Sequence, residues 1–225
     1  MISLSTKFQK TINNKINFEG VGLHSGFESK LTLHPAPVNY GINFIINNTI
    51  IPANSNYVDS TLRSTNLLKN KNSIMTVEHL LSALYALEVD NLKIEVSECE
   101  IPILDGTSEI FFDEINRIGL KNQNEKSKEF IVNQFISFKS SKGVQFYLMP
   151  HDGYKFTYNL KYDNIDILNQ DASISLSGDN YKNNIAPCKT FCLLSELLHL
   201  YENNLIQGGS LKNATVYIDQ KINKE

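Results

Sequence analysis

The sequence predicts an α+β fold, and three observations predict it. Short runs that alternate polar and apolar residues recur along the chain, one stretch carries apolar residues at helical spacing, and the pattern begins again after a polar interval. From Lys30, Lys-Leu-Thr-Leu-His alternates until Pro35-Ala-Pro37, and Gly41 to Ile46 reads as a second strand. Asn72 to Glu88 follows, with apolar residues at 77, 80, 81, 84 and 87 forming one helical stripe. His79, Ser82, Ala83 and Ala86 fall on its opposite side, where small residues let a second layer approach, so this helix is expected to be covered on two faces. Glu78 lies on a flank in the first turn, where the helix dipole favours a carboxylate.

Leu92-Lys-Ile-Glu-Val-Ser alternates as a strand, Pro102 and Gly106 bracket a turn, and a second helix runs from about Ser108 to Ile118, closed by Gly119. Residues 119–129 are almost wholly polar and mark the expected domain boundary, giving domains at 1–125 and 126–225. Beyond it Phe130 to Phe138, Gly143 to Met149 and Tyr154 to Tyr162 read as three largely antiparallel strands. An apolar helix from about Leu193 to Glu202 and a strand at Ala214 to Ile218 complete the second half, which stops earlier in its pattern than the first.

Composition narrows the function classes. The 225 residues are 41% hydrophobic and 20% charged, enough apolar material for a core and unlike a disordered chain. With 21 Lys+Arg against 24 Asp+Glu, no basic field draws the chain to nucleic acid. Three cysteines, none in a C-x-x-C pair, fit a reduced, cytoplasmic setting. The N-terminus has no apolar signal region, and no window holds the roughly 18 apolar residues of a membrane span.

Several residues could carry chemistry, and each has a plainer reading beside it. Gly20-Val-Gly-Leu-His-Ser-Gly26 is one residue short of a dinucleotide fingerprint, having Ser25 where the third glycine belongs, and is read as a backbone turn or a phosphate cradle. His79 stands beside Glu78 at the start of the helix. It is either a core histidine hydrogen-bonded to backbone or a metal ligand with the adjacent carboxylate as general base. Asp105, in Pro102-Ile-Leu-Asp-Gly-Thr107, is an Asx-turn residue or a catalyst. Leu193 to Tyr201 has too many leucines for a narrow stripe, and is a core helix or the wall of an acyl-chain site.

Read in order, Gly20 to Gly26, Thr76-Val-Glu-His-Leu80, Ile101-Pro-Ile-Leu-Asp-Gly106, Lys189-Thr-Phe191 and Gly208-Gly-Ser210 resemble the successive signatures of the UDP-3-O-acyl-N-acetylglucosamine deacetylases. Those enzymes are zinc amidases of lipid A synthesis in Gram-negative bacteria. The resemblance runs from about residue 10 to Asp219. It implies two similar α+β domains, each a mostly antiparallel sheet, packed with helices between the sheets. It makes His79 a Zn2+ ligand, Glu78 the general base and Thr190 the hydrogen-bond donor to the oxyanion. Phe191 and the leucine-rich segment, with Leu197, resemble the insert around 191–210 that forms the acyl passage. Leu23 and His24 of the first loop, and Gly209 and Ser210, resemble substrate-binding positions.

Departures from the family pattern shape the expectation. The family's other two zinc ligands come from an H-K-x-x-D-type segment, its general acid is a further histidine, and no such segment occurs in these 225 residues. Arg63 stands where the family has a small residue or Cys, and Cys192 where it has Gly. The expected second domain is therefore incomplete, with apolar surface uncovered and the remaining ligands supplied by a C-terminal segment in trans or not at all. The alternatives are a non-catalytic protein that binds the acylated sugar nucleotide and one half of a split enzyme.

Overall fold

The computed structural model describes residues 2–162 and 169–219. The first half runs β1 (Ile2–Ile12), β2 (Ile16–Val21), β3 (Glu28–Pro35), β4 (Ile42–Ile46), β5 (Thr49–Pro52), β6 (Val58–Ser60), β7 (Asn66–Lys69), β8 (Asn72–Ile74), α1 (Glu78–Ala86), β9 (Leu92–Val96), α2 (Glu109–Ile118) and β10 (Leu120–Phe130). The second half runs β11 (Ile136–Lys139), β12 (Gln145–Leu148), β13 (Lys155–Leu160), β14 (Gln170–Ser175), α3 (Gly178–Asn184), β15 (Phe191–Leu193), α4 (Leu197–Glu202) and β16 (Thr215–Tyr217). The fold is mixed α+β with mostly antiparallel sheets and four α-helices among the described residues.

The platform is a five-stranded sheet in the order β2-β3-β9-β4-β5, antiparallel except where β4 runs parallel to β9. Its strands bury alternate residues, so Leu31 and Leu33 of β3 and Leu92 and Ile94 of β9 face one core. α2 places Phe111, Phe112 and Ile115 on that core at helical spacing, and the Phe111 ring meets Phe18 edge-on at 4.9 Å. α1 adds Leu80, Ala83 and Leu84 and packs beside α2. Gly119 closes α2 with φ 80°, as its position after the last periodic residue predicts.

The apolar stripe over 72–88 is helical only from Glu78, because Asn72–Ile74 is claimed by β7 as a strand. Thr76 takes a left-handed φ of 63°, which breaks any helix there. The small face of α1 is met by the second half, since Ser82 Oγ lies 2.7 Å from Tyr181 Oη of α3.

The polar stretch at 119–129 is strand β10, paired antiparallel with β1 from Ile12↔Leu120 to Ile2↔Phe130, and the expected division at 125/126 falls inside it. β10 itself has no buried residue, and what β1 buries beside it is mostly polar, as Ser5, Gln9 and Thr11, so the sequence carries no apolar period. Of the expected strand at 130–138 only its two ends are strand, in β10 and β11. The helix expected from Leu193 begins at Leu197, after β15 and a 3-10 turn at 194–196. β14 and α3 had no sequence signal beyond Ser177, whose hydroxyl accepts the Asn180 N–H and caps α3.

In the second half, β11–β12 and β13–β14 are separate hairpins, with Phe138, Phe146, Phe156 and Tyr158 exposed.

Candidate active site

The site is built on the first loop. Gly22 to Gly26 joins β2 to β3 as a tight turn, with the Gly26 N–H donating to the Gly22 carbonyl at 3.0 Å and the Gly22 N–H to that of Phe27 at 2.9 Å. It is thus the backbone turn. A Cβ on Gly22 would lie 2.4 Å from Glu100 Oε2, so any side chain there would displace the Glu100 carboxylate. The Glu100 carboxylate accepts the N–H groups of His24 (3.0 and 3.1 Å) and Ser25 (2.7 Å) and the Thr76 hydroxyl (2.7 Å). From the far side residues 206–208 zip onto the loop: the Gln207 N–H donates to the His24 carbonyl and the Gly208 N–H to that of Leu23.

Thr76 leads directly into α1, whose first residues are Glu78 and His79. Glu78 Oε2 accepts the Thr65 N–H at 2.9 Å and lines an open cleft of about 470 Å³ between α1 and the second half, opposite Phe156, Leu176 and Tyr181. The half-buried His79 ring makes no hydrogen bond among the described residues, which removes the reading of a core histidine bonded to backbone. Burial pushes its imidazole below the usual range, and the Glu78 and Asp105 carboxylates pull the other way. Neutral imidazole is the form that a metal takes.

Asp105 is the Asx-turn residue, accepting the N–H and hydroxyl of Thr107 at Oδ1 (3.1 and 2.8 Å). The next residue, Gly106, has φ 84°, and a Cβ there would stand 1.8 Å from the Asn213 carbonyl oxygen. The glycine thereby lets the Asn213 backbone close in, and on the same turn the Thr190 N–H donates to the Gly106 carbonyl at 2.9 Å.

Leu23, His24, Thr190 and Phe191 converge on a small cavity of about 50 Å³, together with Arg63 and Leu200. The 63–65 loop borders both spaces, Arg63 lining this cavity and Thr65 the cleft. Leu197, Gly209 and Ser210 do not line the cavity. Leu197 begins α4 with its side chain half buried, the Gly209 N–H turns back to the Ile206 carbonyl, and the Ser210 N–H donates to Asn213 Oδ1. Sequence reasoning missed Glu100 and Tyr181. A charged residue before Ile101-Pro-Ile and a tyrosine in a polar run give no periodic sign of burial.

Arg63 grips Glu196 with two donors, at 2.6 and 3.2 Å, and so pins the leucine-rich segment to the 63–65 loop. This bond holds the Glu196 carboxyl below the usual carboxylate range, against the push of burial and with help from the Leu193 N–H. A depressed folded-state pKa stabilises above the unfolded value and is lost as pH falls through the folded one. Glu196→Gln is therefore expected to flatten the acid limb of stability below about pH 5, by about 1 kcal/mol or less for a partly exposed pair, as urea titrations at several pH values would read.

Three protein ligands make a catalytic zinc site, and among the described residues no three His, Cys, Asp or Glu side chains come together to hold a metal.

The fold is an α+β platform that presents a carboxylate and an imidazole, Glu78 and His79, at the head of one helix. The chain belongs to the family described as LpxC, UDP-3-O-acyl N-acetylglycosamine deacetylase, which it matches over residues 9–225. It is similar to the UDP-3-O-acyl-N-acetylglucosamine deacetylase of Chlamydia trachomatis serovar L2, 37% identical over 95% of this chain and 76% of that protein. The deacetylase of Chlamydia caviae is 36% identical over 95% of this chain and 78% of that protein. A bifunctional enzyme LpxC/FabZ of Chlorobaculum tepidum is 34% identical over 96% of this chain, which spans 47% of that longer protein.

Proposed function

We propose that the chain carries the base-and-oxyanion part of a deacetylase that removes the acetyl group from UDP-3-O-acyl-N-acetylglucosamine in lipid A biosynthesis, in the cytoplasm. The observation that carries this reading is the Glu78 carboxylate, fixed by the Thr65 N–H and facing an open cleft, in a chain of the deacetylase family. Hydrolysis of an acetamide needs a proton taken from the attacking water and a donor for the developing oxyanion. Glu78 takes that proton, and Thr190 is the neutral hydroxyl donor for the oxyanion. The mostly apolar cavity beside Thr190, walled by Leu23, Phe191 and Leu200, supports an acyl passage, with Arg63 at its edge.

Zn2+ is the proposed cofactor, with His79 as one ligand. The described residues do not complete its site, so the partners in this reading are the acylated sugar nucleotide and a further segment that supplies the other ligands. Calorimetric titration of the chain with the acylated UDP-sugar tests the binding half of the reading. Saturable heat that Phe191→Ala diminishes is expected, and absence of binding by the folded chain would overturn it.

A further inference from the structure

We propose that Glu100 is a positioning residue of this site: its buried carboxylate locks the His24 loop and the head of α1 into one unit, and so sets the place of His24 in the wall of the small cavity beside Thr190. The inference rests on the reading of that cavity as part of the substrate site.

Glu100 is fully buried, at 0% exposure, and its hydrogen-bond partners are all neutral: two backbone N–H groups and one hydroxyl. A buried carboxylate without a cation is an expensive way to fill space, and an apolar side chain of similar volume would serve packing better. What the carboxylate does is join segments distant in sequence. Its own backbone is fixed, because the Met75 N–H donates to the Cys99 carbonyl at 2.9 Å and the Ile101 N–H to that of Met75 at 3.2 Å. From that anchored strand Oε1 holds both the Thr76 hydroxyl, two residues before Glu78, and the His24 N–H. A shift of one segment is thus transmitted to the other through a single group.

His24 shows what is being aimed. The residue is 4% exposed, its Nδ1 accepts the Ile206 N–H at 3.4 Å, and its buried Nε2 has no partner. In the neutral ring the Ile206 bond leaves the proton on Nε2. A buried donor left unpaired is costly unless a ligand supplies an acceptor. His24 lines the cavity with Thr190, so where the Glu100 clamp holds this ring decides the shape that the cavity offers a ligand.

Nitrogen NMR of the His24 ring and hydrogen exchange of the purified chain test this. The ring is expected to show one tautomer, protonated at Nε2. In Glu100→Met the tautomer preference is expected to be lost, and the His24 and Ser25 amides to exchange about tenfold faster or more, while β4–β5 amides are unchanged. Glu100→Gln should keep the signature, since its amide oxygen can accept from His24 and Ser25 while its NH2 group donates to Thr76. Thr76→Val should shift the His24 ring signals although Thr76 does not touch that loop.

A folded Glu100→Met chain with unchanged His24 signals would overturn the proposal. If that variant does not fold, Thr76→Val decides, and unmoved ring signals there would overturn it equally. None of these readouts needs catalysis, so an inactive site with an intact ring signature would count against the proposed function and leave the positioning role standing.

Discussion

Glu78→Gln is expected to lower acetate release by about 10²- to 10⁴-fold, the range for loss of a positioned general base, in a chimera where residues 9–219 replace the matching segment of a longer relative. Gln keeps the shape and can still accept the Thr65 N–H that fixes Glu78 now, so the loss reads basicity and not placement. In the same chimera Thr190→Val removes only a hydroxyl and is expected to lower kcat by about 10²-fold or more. A folded chimera that releases acetate as fast without the Glu78 carboxylate would sink the assignment of the base.

The 225-residue chain alone is expected to hold Zn2+ only weakly and to hydrolyse the acetamide far below about 1 s⁻¹, an ordinary turnover. One imidazole is too few ligands, and among the described residues no three His, Cys, Asp or Glu side chains come together to hold a metal. Atomic absorption after dialysis is the check, and about one tightly held zinc per chain would show the site to be complete.

The parts of this site that were legible in the sequence are those whose chemistry is local. Glu78 and His79 are neighbours on one helical turn, and the Asx turn at Asp105 is closed by Thr107 two residues on, so a short window contains the reason for each. β3, β4, β9 and α2 were legible because one face of each is buried and leaves its period in the pattern. β10 was not, since a strand with no buried residue leaves no period. Nor were Glu100 and Tyr181, whose roles exist only across long separations, to His24 and Thr76 in one case and to Ser82 and Ser108 in the other. Resemblance located Gly209 and Ser210 by motif. Their backbone here shapes the 206–213 turn that docks on the first loop, a relation that no residue spacing displays.

The rigidity that this site requires comes from α2 as much as from α1, and Phe111→Ala is expected to expose that dependence with a loss of about 3 to 5 kcal/mol. Phe111 is fully buried, stands edge-on to Phe18 of β2, and belongs to the one core that holds Leu80 and Leu84 beneath Glu78. Truncation leaves a ring-sized void between sheet and helix, in a region where both walls are already paired as secondary structure and cannot collapse far. For a chain of this size the change corresponds to a midpoint lower by roughly 6 to 20 °C in a thermal melt. Phe156→Ala is the contrast: its ring is 52% exposed on β13, so the same deletion is expected to change stability by only about 1 kcal/mol or less. Equal losses at the two positions would mean that the first-half core is not the platform on which Glu78 and His79 stand. The expected inequality places the energetic weight of the fold under α1, the helix that carries Glu78 and His79.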